Sequence, residues 1–179
     1  MFDKERFIED CRAAAVGTEP QAVIRELVER AVSEPAQLVR ALGEPRRSGI
    51  ETIYRGPEVT ILNLRWGPKM EVKPHDHRVW AVIGIYDGCE QNIFFRRNER
   101  GLTRHGTKEL TAKETVVLGS SIIHAVKNSL DRITSAIHVY GGDFFAIPRS
   151  EWDPQTFQEQ PYDVEHTKRA FEEANSRLA

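Results

Sequence analysis

From about residue 50 to residue 150 the chain is a series of short β-branched and aromatic runs, and this cadence limits its folds more than any other feature. The runs are GIETIYRG, EVTILNLRWG, VWAVIGIYDG, EQNIFFRR, ETVVLGS, IIHAVKN, ITSAIHVYGG and DFFAIP, with Gly, Pro, Asn and Asp between them. Several short strands with turn signals at close intervals predict a β-sandwich or barrel. No long helical pattern interrupts them, which argues against a βαβ sheet. The polar stretch RNERGLTRHGTKE reads as a hairpin with surface loops, and His105 within it as solvated.

The flanks have a different texture. Residues 3 to 42 read as helices: Phe7, Ile8 and Cys11 fall at helical spacing, and Val23, Ile24, Leu27, Val28 and Ala31 mark one face of a second helix. Ser33 before Glu34 and Pro35 reads as the N-cap of a third, which carries Leu38, Val39 and Leu42 and ends at Gly43. Residues 150 to 161 read as an extended tail, and 163 to 177 as a terminal helix bearing His166. The 179 residues then form one domain: a helical part (1–45), a β-barrel (50–150), and a tail with its helix (151–179). A net charge of -2 gives no basic surface for nucleic acid, and no apolar run is long enough to cross a membrane. MFDKERFIEDCRA lacks the apolar stretch of a secretory signal. Cys11 and Cys89 make no disulfide framework, so reduced thiols in the cytoplasm are expected.

The chemistry centres on PHDHRVWAVIG. Residues i and i+2 of a strand project to one face, so His75 and His77 can grip one metal ion from one side. GSSIIHAVKN supplies a third imidazole, His124, from a distant strand. The order HxH followed by a distant His resembles the cupin arrangement. The expected fold is therefore mainly β: a cupin double-stranded β-helix (jelly-roll barrel) with N-terminal helices and a C-terminal helix. Imidazole suits iron, zinc, copper and nickel alike. Many cupins add a carboxylate about five residues after the second His, but Val82 stands there, and Asp76 alternates to the opposite face. Three neutral ligands leave a divalent ion its full charge, which favours an anionic ligand such as a thiolate. His138 reads equally well as a buried structural histidine, and Trp80, Ile83 and Ile85 read as core.

WGPKMEVKPHDHRVWAVIGIYDGCE, GSSIIHAVKN and AIHVYGGDF together resemble the thiol dioxygenases, the family of cysteine and 3-mercaptopropionate dioxygenases, in its bacterial branch. The resemblance spans roughly residues 50 to 150. It implies ferrous iron, Fe(II), on His75, His77 and His124, and dioxygen and a small thiol acid as co-substrates. It also implies a Ser-x-His-x-Tyr network. His138 and Tyr140 match its last two members, but its Ser position falls on Ala136, with Ser135 one residue off. The cysteine that crosslinks to the Tyr in animal enzymes falls on Val82, so no crosslink is implied. For the substrate carboxylate, Arg149 matches the mercaptopropionate-type arginine and Arg55 the cysteine-type one, although the segment from Arg55 to Trp66 is shorter than the family's.

Two other readings stay open: a cupin oxygenase acting on a non-thiol substrate such as a small diketone, and a non-catalytic metal-binding or sensing cupin. Pairing of copies into a homo-oligomer is compatible with the sequence, but no motif specifies it.

Overall fold

The computed structural model describes residues 1–99 and 101–178. Three helices come first: α1 (Lys4–Ala15), α2 (Pro20–Val32) and α3 (Pro35–Leu42). Asp3 caps α1 by accepting the Arg6 N–H at 3.0 Å. Pro20 and Pro35 open α2 and α3, where a missing N–H costs nothing. Gly43, at φ 82°, ends α3 in a left-handed turn that glycine adopts without strain. Ser33 does not cap α3. It closes α2 instead, with its hydroxyl donating to the Arg30 carbonyl at 2.7 Å, and α3 has no side-chain cap.

Eleven strands follow among the described residues. They are β1 (Gly49–Arg55), β2 (Val59–Trp66), β3 (Glu71–Asp76), β4 (Ala81–Asp87), β5 (Cys89–Asn98), β6 (Gly101–Thr111), β7 (Thr115–Leu118), β8 (Ile123–Lys127), β9 (Thr134–Gly141), β10 (Ser150–Trp152) and β11 (Glu159–Pro161), before a last helix, α4 (Val164–Ser176). They form two antiparallel sheets, ordered β1-β2-β9-β4-β7 and β11-β10-β3-β8-β5-β6. This is a jelly-roll barrel, the double-stranded β-helix that the strand cadence and the HxH order predict. Two local expectations fail. DFFAIP is a turn rather than a strand, and the tail after residue 150 adds β10 and β11 to the edge of the second sheet.

Strand alternation sorts residues between two cores. On the first sheet, Val59, Ile61, Val82, Tyr86, Ile137 and Val139 face the helices. Leu62, Leu64, Trp66, Ala81, Ile83, Ile85, Ala136 and Tyr140 face the second sheet. The helices explain why these strands are apolar on both faces. α2 buries Ile24, Leu27, Val28, Ala31 and Val32 against β4, at about 1.5–3 kcal/mol for each large side chain. The approach is close at Gly84, where an added Cβ would stand 2.4 Å from Val28 Cγ1 and 2.9 Å from Val32 Cγ1.

Candidate metal centre

His75, His77 and His124 come together inside the barrel. β3 pairs with β8 so that His75 lies opposite His124. Between Val72 and His75 the register slips, with Lys73 and Pro74 of β3 set against Ala125 of β8. This bulge admits a proline and lets both Val72 and His75 turn inward. His77 is not on the strand. It lies just beyond the end of β3, before a turn in which Arg78 takes a left-handed φ of 60°. The simple i, i+2 alternation is therefore only part of the reason it meets His75.

The imidazole Nε2 atoms converge. His77 Nε2 lies 3.3 Å from that of His75 and 3.1 Å from that of His124. One ligand atom from each residue fits within 4.8 Å of the others. For metal–nitrogen bonds of about 2.1 Å, ligands at right angles stand about 3.0 Å apart and tetrahedral ones about 3.4 Å, so both measured separations suit a shared ion. The tautomers agree with this. His75 Nδ1–H donates to the Lys73 carbonyl at 2.9 Å, and His124 Nδ1–H to Asn92 Oδ1 at 2.7 Å. Both Nε2 lone pairs then face His77, which can donate to only one of them, and a cation satisfies all three. Burial, the largest cause, lowers the His75 pKa to about 4, with Arg149 adding to the fall. Burial and neighbouring histidines hold His77 and His124 well below the usual range. Neutral imidazole is the form a metal requires.

The ring of polar contacts behind the triad runs through a residue that sequence reasoning missed. Glu90 is 0% exposed. Its Oε2 accepts the Trp66 indole N–H at 2.6 Å, and its Oε1 accepts from Asn92 Nδ2 at 2.9 Å. His138 Nε2 stands 3.5 Å from Oε2, in ion-pair range but without a hydrogen bond. His138 Nδ1 and the Tyr140 hydroxyl share a 2.9 Å hydrogen bond. One carboxylate thus reaches His124 through Asn92 and Tyr140 through His138. Burial pushes the Glu90 pKa up, but His138, Asn92 and Trp66 outweigh it, and the net shift is downward. The sequence signal was available: Glu90 and Asn92 are polar residues at strand spacing on an inward face, and buried polar residues are the informative ones.

The barrel also settles two positions. Ala136 faces inward beside His138 and offers no hydroxyl. Val82 faces the helices; the residue opposite Tyr140 across β4 is Ala81. Neither can supply a carboxylate or a thiol. Asp76 points away from the triad, accepting the Ser150 N–H at 2.9 Å and pairing with Arg78. Cys11 and Cys89 are buried free thiols, with burial raising their pKa values to about 12 and about 11.

A cavity of about 510 Å³ reaches the triad at His75 and is lined by Tyr140 and Arg149 among others. The Arg149 guanidinium lies 3.8 Å from the Phe144 ring centroid and 4.4 Å from that of Tyr162. Phe144 stacks on Tyr140 at 3.9 Å, and Tyr140 meets His77 edge-on at 5.0 Å. Arg149 forms no salt bridge among the described residues, and burial lowers its pKa more than nearby Tyr162, Tyr140 and Asp76 raise it. Arg55 is not in this group. It is 50% exposed, makes two 2.9 Å bonds to Asp143, and does not line the cavity. The structure therefore brings His75, His77, His124, His138, Tyr140 and Arg149 together and leaves Arg55 outside, its charge already matched.

No family model matches the chain. Among solved structures, an RmlC-like cupin family protein with a double-stranded β-helix fold from Methanocaldococcus jannaschii is 10% identical, over 56% of this chain and 84% of that one, with a TM-score of 0.47. A DMSP lyase from Ruegeria pomeroyi is 16% identical over 61% of this chain and 53% of its own, at 0.48. Oxalate decarboxylase from Bacillus subtilis is 13% identical over 50% and 22%, at 0.41. No helix among the described residues is long and apolar enough to cross a membrane.

Proposed function

We propose that the protein is a non-haem iron thiol dioxygenase that converts a thiol acid to its sulfinate, with 3-mercaptopropionate and cysteine as the simplest candidates. The observation that carries this reading is a triad of neutral imidazoles, one of which, His75, lines the same cavity as an arginine that forms no salt bridge among the described residues. Fe(II) held by His75, His77 and His124 would supply open positions for a thiolate and dioxygen, both oxygen atoms ending on sulfur.

The chain's own residues have separable tasks. Arg149 receives the carboxylate, and its planar fork suits a two-point contact. The rings of Phe144 and Tyr162 pack against that fork. Tyr140, oriented by His138, presents a hydroxyl on the cavity wall, where it can hydrogen-bond to substrate or oxygen. The apolar wall excludes water and strengthens these contacts.

Oxygen consumption by iron-reconstituted protein, with 3-mercaptopropionate, cysteine and cysteamine offered in turn, tests the reading. Uptake with a thiol acid and none with cysteamine is expected. No uptake with any thiol from fully ferrous protein refutes it. The apolar lining of the cavity favours, as the second reading, a cupin oxygenase acting on a non-thiol substrate.

A further inference from the structure

A three-carbon thiol acid underfills this cavity. At a water's share of liquid volume, about 30 Å³ per heavy atom, the half-dozen heavy atoms of 3-mercaptopropionate need about 180 Å³. The cavity of about 510 Å³ is in the range used for far larger ligands. The remaining space is mostly apolar. From the Tyr140 end, its wall continues along β2 through Leu62, Leu64 and Trp66, faces Val72 across the barrel, and is closed by Phe171 of α4. Thr167 also lines it, but its hydroxyl is already engaged with Tyr162 at 2.7 Å.

The entrance has the same character. Ile50 (43% exposed), Phe145 (41%) and Val164 (51%) are among the few large hydrophobic side chains that stay exposed, and all three line this cavity. They come from β1, from the turn after β9 and from the first residue of α4. Such a cluster marks a binding site rather than scattered surface. Arg149 is the charged residue at the inner end, whereas the charges of Lys168 and Glu172 lie at the exposed rim, with Lys168 paired with Glu165 at 2.7 Å.

We propose that the acid bound here carries an apolar body of several carbons: its carboxylate meets Arg149, and its hydrocarbon part lies along Leu62, Leu64, Trp66, Val72 and Phe171. The inference rests on the reading of Arg149 given above and narrows the substrate class to alkyl-substituted thiol acids.

Binding of sodium butyrate, hexanoate and octanoate to the zinc-loaded protein, by calorimetry, tests it without any oxidation step. Affinity should rise about four-fold per methylene, the equivalent of about 0.8 kcal/mol of transfer free energy. Arg149→Gln should weaken all three acids by about ten-fold or more while keeping the dependence on length. Val72→Phe, at a half-buried wall position, should level the series off before octanoate, with a thermal melt to verify folding. In the iron-loaded protein, KM should fall from 3-mercaptopropionate to 3-mercaptohexanoate. A flat alkanoate series overturns the apolar arm, whatever the reaction. A rising series with no thiol oxidised leaves the arm standing and removes the dioxygenase reading.

Discussion

Glu90→Gln removes one acceptor and adds one donor at a point where every neighbour is donating. Trp66 Nε1–H can only donate, so the carbonyl of the introduced amide must take it, and the new NH₂ then faces Asn92 Nδ2. Two outcomes remain. If Asn92 keeps its orientation, two buried donors confront each other, at about 1–3 kcal/mol. If Asn92 flips, its NH₂ faces His124 Nδ1, which must then accept, and the His124 proton moves to Nε2, the atom aimed at the metal. Either route penalises the metal-binding state. Loss of a partner behind a ligand histidine costs about 10–100-fold in metal affinity, and that range is expected for Co(II) or Zn(II) in competition titrations. The metal-free protein should lose about 1–3 kcal/mol, or a few degrees in melting temperature for a chain of this length. The double variant Glu90→Gln/Asn92→Asp tests the logic. The introduced amide can donate its NH₂ to the introduced carboxylate, which again accepts the His124 Nδ1 proton, so affinity should recover. An affinity within about three-fold of the parent in Glu90→Gln, or no recovery in the double variant, would refute the tautomer argument and leave Glu90 a purely structural residue.

Tyr140→Phe should lower turnover by about 10²-fold, within the usual range for a positioned proton donor, with iron content near that of the parent; loss of iron would mark the hydroxyl as structural. The metal-free protein should weaken on acidification. An unfolded histidine titrates near 6.5, whereas burial keeps His75 neutral down to about 4, so the unfolded chain binds more protons in that window. His75 alone should cost about 3 kcal/mol between pH 6.5 and 4, at about 1.4 kcal/mol per pH unit. His77 and His124 shift in the same direction, and urea melts of chelator-treated protein that do not change from about pH 7.5 to about pH 5 would contradict this. Gly84→Ala should destabilise by about 1–3 kcal/mol through overpacking against Val28 and Val32, measured by denaturant midpoint; an unchanged midpoint would mean α2 can lift from the sheet at no cost.

The parts of the site that follow a local rule could be read from the chain alone. HxH, a distant His in a β-like run and His138-x-Tyr140 are all spacing statements, and the structure brings these residues together. What could not be read depends on which strands become neighbours. Glu90 meets His138 only because β5 and β9 face each other from different sheets, and no spacing in one strand encodes that. Strands buried on both faces also hide their inward side. β4 reads as a continuous apolar run, so Val82 and Ala81 could not be assigned to faces until α2 was seen to cover one of them. β10 is three residues long, too short for periodicity to register, yet Glu151 pairs with His75. Arg55 lies outside the group for a related reason: a strand position does not reveal a counterion 88 residues away in Asp143.

The C-terminal position of one side of the cavity wall sets an order of assembly. His75, His77 and His124 all precede Arg149, Tyr162 and α4 in the chain. As the polypeptide leaves the ribosome, both ligand-bearing strands of the triad are available before the segment that carries the arginine clamp and the covering helix. Metal loading can therefore occur in a half-built barrel open to solvent, with β10, β11 and α4 closing over an ion already in place. Once that segment docks beside His75, the cavity past Arg149 is the way left to the triad. Loading during synthesis and exchange in the finished protein then follow different routes, the second running along the cavity past Arg149 and His75.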